Sequence, residues 1–227
     1  MSKFYRKSLG FTNGSKLKDF MSAKDITAIN WSLIDLYNHR LIQIFTTIQK
    51  TLTDQSVNIP FAVENAHTIF KSNDILCKLN NHGRSPESVY FSWMRGYLTA
   101  ILFQSFIEKE LNCTLIQNGA DDLSNPNTFK RKSDPDFVDH EKKIFVEVQS
   151  GFKGGKIDIK KTKINPKEKN YEYYIVCIDC YNGQYCILNA RDLLNIPESE
   201  WYQNEEWEGA LCYTVPNHYM KDYSELV

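Results

Sequence analysis

Residues 133–150 read SDPDFVDHEKKIFVEVQS, and the fold turns on whether this run is a strand hairpin. Successive side chains of a strand point to opposite faces. Numbered that way, Lys143–Ser150 places Ile144, Val146 and Val148 on one face and Lys143, Phe145, Glu147 and Gln149 on the other. The first face is wholly aliphatic and reads as core. The second carries a carboxylate and an amide about 7 Å apart along the strand. Asp136–Val138 reads as a partner strand across a polar turn at Asp139–Lys142, which lets Asp136 and Glu147 converge on one point. Converging carboxylates raise each other's pKa unless a cation sits between them. Mg²⁺ suits such a pair, because it takes oxygen ligands and keeps several waters. Asp134 is first a turn residue and second an extra ligand, while Asp139, His140 and Glu141 fall in the turn, where solvation is expected.

Seven lysines lie between Lys153 and Lys169, against Asp158 and Glu168. A lysine run is ordinarily a solvated face, but beside a carboxylate pair it is also what neutralises a phosphate backbone. Lys153, Lys156, Lys160, Lys161 and Lys163 are therefore candidate DNA-binding residues. Further on, Tyr173–Asp179 is a continuous apolar strand suited to burial. Gln184–Leu188 follows the turn signal Asn182-Gly183. The roughly twenty residues between Ser150 and Tyr171 suffice for a helical crossover joining parallel strands, with Pro166 ending or bending it.

Upstream the pattern is helical. Ser22-Ala23-Lys24-Asp25 looks like a capping box. Ile26, Ile29, Leu33, Leu36, Tyr37, Leu41, Ile44, Phe45 and Ile48 then recur at helical spacing. A second helix is expected from Ala62 to about Leu79. A third opens at Ser85-Pro86-Glu87, with Ser85 as cap and Pro86 at the first helical position. It runs to about Leu111 and is apolar on most of its surface, so it is expected to be buried on more than one side. Thr114–Gln117 reads as a short strand and 118–133 as a loop. Helices first, then a mixed sheet with a crossover, give an α/β (α+β) class with a helical N-terminal part.

The whole chain sets outer bounds. Its 227 residues suit one substantial domain. No apolar run approaches the ~20 residues of a spanning helix. MSKFYRKSLGF has basic residues but no apolar stretch behind them, so a signal peptide is not expected and the default compartment is the cytoplasm. The six cysteines are irregularly spaced and read as free thiols. Cys177 and Cys180 form a CxxC without a second close pair, so packing of Cys177 in a buried strand is the better reading. No glycine-rich phosphate loop or GxSxG is present, which leaves nucleotide-binding and serine-hydrolase readings unsupported. Charge is unevenly spread: the first fifty residues lean basic, and after residue 197 the chain turns acidic.

Pro135-Asp136, ten intervening residues and Glu147-Val148-Gln149 resemble the PD-(D/E)xK nuclease superfamily, and within it type II restriction endonucleases. The likeness covers roughly residues 85–190. It implies a mixed central sheet flanked by helices; residues 1–84, a helical part, and 191–227, an acidic extension, lie outside the likeness and are expected by elimination to supply dimer contacts and base readout. It further implies a bacterial restriction-modification enzyme that holds Mg²⁺ on Asp136 and Glu147. Such an enzyme cuts both strands of a short palindromic site in double-stranded DNA, as a homodimer. Gln149 departs from the family's usual lysine. Three readings stay open: Gln149 orients the attacking water, Lys153 or Lys156 reaches in from the following segment, or the site is inactive. Family members often add an acid from the preceding helix, for which Glu87, Glu108 and Glu110 are the candidates. A structure-specific repair nuclease and a non-catalytic DNA-binding protein are the rival functions.

Overall fold

The computed structural model describes residues 29–52, 56–73, 75, 85–119, 122–124, 134–152, 156–164, 170–205 and 209–226. Helix α1 spans Trp31–Leu52, α2 Ile59–Ser72 and α3 Pro86–Leu111. The expected capping box at 22–25 lies outside the described residues. The helix starts later than the periodicity predicts: Asn30 Oδ1 accepts the Leu33 N–H at 3.0 Å, and residues 29–30 are not helical. Its inward stripe is Ile34, Asn38, Leu41, Phe45, Ile48 and Leu52, whereas Leu36 is exposed. In α2, Asn58 Oδ1 caps the Phe61 N–H at 3.1 Å and Pro60 occupies the first turn, where its missing N–H costs nothing. In α3, Ser85 Oγ accepts the Ser88 N–H at 3.2 Å, as expected. At the other end Asn112, at φ 48°, turns the chain out of the helix.

The strands follow. They are β1 (Ile116–Gln117), β2 (Phe137–Asp139), β3 (Ile144–Gly151), β4 (Asp158–Lys160), β5 (Glu172–Asp179) and β6 (Gln184–Asn189). After the short helix α4 (Ala190–Leu194) come β7 (Tyr202–Asn204), β8 (Ala210–Thr214) and β9 (Lys221–Asp222). Among the described residues they form a six-stranded sheet of order β1-β2-β3-β5-β6-β9 and a three-stranded sheet of order β4-β8-β7. β2 and β3 pair antiparallel, so the hairpin read from the sequence is present. Lys143 is an exception: at φ 57° it completes the turn rather than opening the strand. β3 and β5 pair parallel, as expected, but the crossover between them is not the helix predicted. Its described residues form β4 and a single 3-10 turn, Lys161–Lys163. The alternating Ile157-Asp158-Ile159-Lys160 explains this, since a period of two buries both isoleucines when the segment lies as a strand.

The large sheet has a different core on each face. Ile144, Val146 and Val148 pack with α1, α2 and α3 in one cluster. α3 is the centre of this layer, with Met94, Leu98, Leu102 and Phe103 all at most 2 % exposed. Burial of a side chain such as Phe103 contributes about 2–3 kcal/mol. The other face, from Tyr173, Ile175 and Cys177, packs with Ile157, Ile159, Ile164, Trp201, Tyr213 and Val215. The face of β3 that carries Glu147 is thus roofed by the small sheet. Two strands of that sheet, β7 and β8, come from the acidic C-terminal segment, so this segment completes the second core. No described helix is long and apolar enough to cross a membrane.

Candidate active site

Asp136 is positioned by the strand pair β1–β2. The register Gln117↔Phe137 is continued by two bonds from Asn118: its N–H donates to Asp136 O at 2.8 Å, and its Nδ2 to Pro135 O at 3.0 Å. Gly119, at φ 59°, lets the chain pass so close that a Cβ would meet Asp134 O at 3.1 Å and Pro135 O at 3.2 Å. The β2–β3 register pairs Phe137 with Val146, so one further step sets Asp136 opposite Glu147. The Asp136 carboxylate turns in to the ladder, where Oδ2 accepts the Val148 N–H at 2.6 Å. The sequence places Asp136 inside the strand, whereas β2 begins one residue later and the Asp136 carboxylate bonds the backbone of β3.

Glu147 sits in mid-strand and is 2 % exposed. Its Oε1 accepts from Lys163 Nζ at 2.7 Å and from Gln149 Nε2 at 2.9 Å, while Oε2 is sealed from solvent with no hydrogen-bond partner. Burial raises the Glu147 carboxyl above its ordinary range, and Lys163 and then Gln149 oppose that rise. Tyr173, beside Phe145 on β5, has its phenol raised by burial first and then by the charges of Glu147, Asp136 and Asp134. Three carboxylates therefore act on one buried ring.

Lys163 is the residue that the sequence did not place in the site. It was a candidate phosphate contact on a solvated run. Instead, the 3-10 turn after β4 carries it onto Glu147, and the pairing Ile159↔Tyr213 pins that turn to the small sheet. The pair is sixteen residues apart in sequence, and no local spacing announces it. Of the two lysines proposed to reach in, Lys156 is exposed and Lys153 lies outside the described residues. Lys161 lies over the Trp201 ring at 5.3 Å and pairs with Glu198 at 3.2 Å. Lys160 stands across from Cys212 on the small sheet. Gln149 has a definite role in the fold: it holds Glu147.

The acids of α3 serve elsewhere. Glu87 is buried and its Oε1 accepts the Asn30 N–H at 2.7 Å, fastening α3 to the start of α1. Glu108 Oε1 accepts the Leu115 N–H at 2.8 Å. Glu110 is exposed on the last turn. Asp139, expected to be solvated, is instead buried: it accepts N–H groups of Thr114 at 2.9 Å and Lys142 at 2.8 Å, which hold its carboxyl below the usual range. Cys177 faces Cys186 across the β5–β6 ladder, and both thiols are free. Cys177 and Cys180 belong to clusters on opposite faces of the sheet, so the CxxC does not form a chelating pair.

The feature of this arrangement that would suit a cation is the carboxylate chemistry of Glu147 and Asp136. The orphaned Glu147 Oε2 is the observation in favour, and among the described residues no third His, Cys, Asp or Glu gathers with them. Comparison with protein-family models, curated proteins and solved structures returns no match for this chain.

Proposed function

We propose that the chain is a Mg²⁺-dependent endonuclease of PD-(D/E)xK type. It hydrolyses phosphodiester bonds in both strands of a short double-stranded DNA site, as a cytoplasmic type II restriction enzyme does. One observation carries the reading: a buried glutamate, opposite an aspartate across a hairpin, with a lysine on one oxygen and nothing on the other. A sealed carboxylate is unstable in its charged form unless cations compensate it. Lys163 supplies one positive charge, and Oε2 is left for a second. Asp136 and Glu147 would hold a divalent ion, which would supply Lewis-acid polarisation of the scissile phosphate. Lys163 then takes the part that the family usually gives to a lysine on the strand itself. It offers an ammonium donor where charge grows on the phosphate, in a site roofed against water. Gln149 keeps Glu147 in one rotamer by its amide bond. Cutting both strands of a palindrome needs two such sites, which implies a symmetric homodimer.

A second reading is favoured by the same ion pair: a non-catalytic DNA-binding protein in which Lys163 and Glu147 stay together permanently. Incubation with plasmid DNA plus Mg²⁺, and in parallel with EDTA, separates the two. Discrete metal-dependent bands that vanish in Glu147→Gln support the restriction reading. Binding without cleavage supports the second, and structure-dependent nicking points to a repair nuclease. Retained cleavage in Glu147→Gln removes the assigned site.

A further inference from the structure

Arg95, on the face of the sheet away from Glu147, has no use in the chemistry proposed above. It projects from α3 between two aromatic rings, with its guanidinium carbon 5.3 Å from the centre of Phe91 and 4.7 Å from that of Phe152. Its Nε is sealed from solvent with no hydrogen-bond partner. No carboxylate lies within ion-pair reach of it among the described residues. The Cys180 thiol acts on it electrostatically, but desolvation pushes that thiol up to about 12, so it is neutral near pH 7 and does not compensate the cation. Asp179 next to it is occupied by its own turn, accepting from Tyr181 N at 2.9 Å and Asn182 N at 3.0 Å. Burial lowers the guanidinium pKa, consistent with a charge short of partners.

We infer that Arg95 and its aromatic flanks form a binding site for a phosphate-type oxyanion. The place in the fold supports this independently. Phe152 directly follows β3 and Cys180 directly follows β5, so Arg95 stands at the carboxyl ends of the two parallel strands, where sheets of this kind take ligands. The guanidinium fork matches two oxygens of one phosphate, and the flanking rings strengthen the contact by excluding water from its sides. The site stands apart from the nuclease reading. Its loss leaves metal-dependent cleavage as a separate result, and absence of cleavage does not remove it.

The experiment is thermal unfolding of the full chain in EDTA. One arm adds inorganic phosphate, a second adds a short DNA duplex, and a third adds chloride at matched ionic strength. Phosphate at tenfold excess over a millimolar Kd is expected to raise Tm by roughly 3–5 °C above the chloride arm. Arg95→Met is expected to melt at or above wild type without ligand, because a sealed, unbonded Nε is gone, and to lose the ligand-induced rise. Arg95→Lys keeps the charge but not the fork and is expected to keep less than half of the rise. A rise with phosphate identifies a free phosphorylated ligand, and a rise with duplex alone identifies a nucleic-acid backbone. No rise in either arm, a rise unchanged in Arg95→Met, or an unliganded Arg95→Met that melts well below wild type overturns the inference.

Discussion

Replacing Lys163 by Met tests the centre of the site without touching its carboxylates. In the folded chain Lys163 Nζ is 2.7 Å from Glu147 Oε1, and the two side chains are 26 % and 3 % exposed. Removing one partner of a fully buried pair costs about 3–5 kcal/mol, and the partial exposure of Lys163 brings the expectation to about 2–4 kcal/mol. What remains on Glu147 is one amide donor, from Gln149, and one oxygen without any partner. Burial then dominates, and the carboxyl pKa rises further than in wild type. The sign follows from linkage. The folded chain holds the Glu147 proton more tightly than the unfolded chain, so stability is greatest below the unfolded value, near 4.3, and falls as pH rises through the folded one. Over that window the slope approaches about 1.4 kcal/mol per pH unit. Urea unfolding of both proteins in EDTA at pH 5, 6.5 and 8 measures it. Lys163→Met should be close to wild type at pH 5 and furthest below it at pH 8, and adding Glu147→Gln should restore most of the difference. A deficit under about 1 kcal/mol that is the same at every pH is the behaviour of a surface pair and would refute the reasoning.

Other perturbations reach the same architecture from different sides. Gly119→Ala places a Cβ 3.1–3.2 Å from the backbone oxygens of Asp134 and Pro135 at a left-handed φ. It should cost more than about 1 kcal/mol, and cleavage should fall more than binding because Asp136 shifts; parallel gel-shift and digestion assays measure both. Asp139→Asn removes a carboxylate whose pKa is depressed by the Lys142 and Thr114 N–H bonds. Wild-type stability should decline as pH falls below about 4 through that depressed value, and the acid limb should flatten in the variant, read by circular dichroism against pH. Ser85→Ala should lower stability by about 1 kcal/mol in a denaturant titration, through loss of the α3 cap. Phe103→Ala should cost about 3–5 kcal/mol by the same titration, because the helical core around α3 cannot close over the space.

The sequence alone determined whatever depends on period and near neighbours. The alternation at 144–148 fixed which face of β3 is core, the short turn made β2 its neighbour, and Ser85-Pro86 marked where α3 begins. That Asp136 falls beside the middle of β3 was legible for the same reason, since a hairpin turns sequence distance directly into register. Tertiary structure decided the rest. Lys163 reaches Glu147 only because β4 pairs with β8, a strand more than fifty residues later in the chain. The roof over Glu147 is built from the C-terminal segment, and that burial is what makes the charge of one lysine matter. Arg95 carries no signal in the local pattern of its helix, and only the packing of α3 against Phe152 and the strand ends singles it out. A contact between distant segments leaves no periodicity in either of them, because each need only present a compatible side chain, and which surfaces meet is settled by the packing of the whole chain.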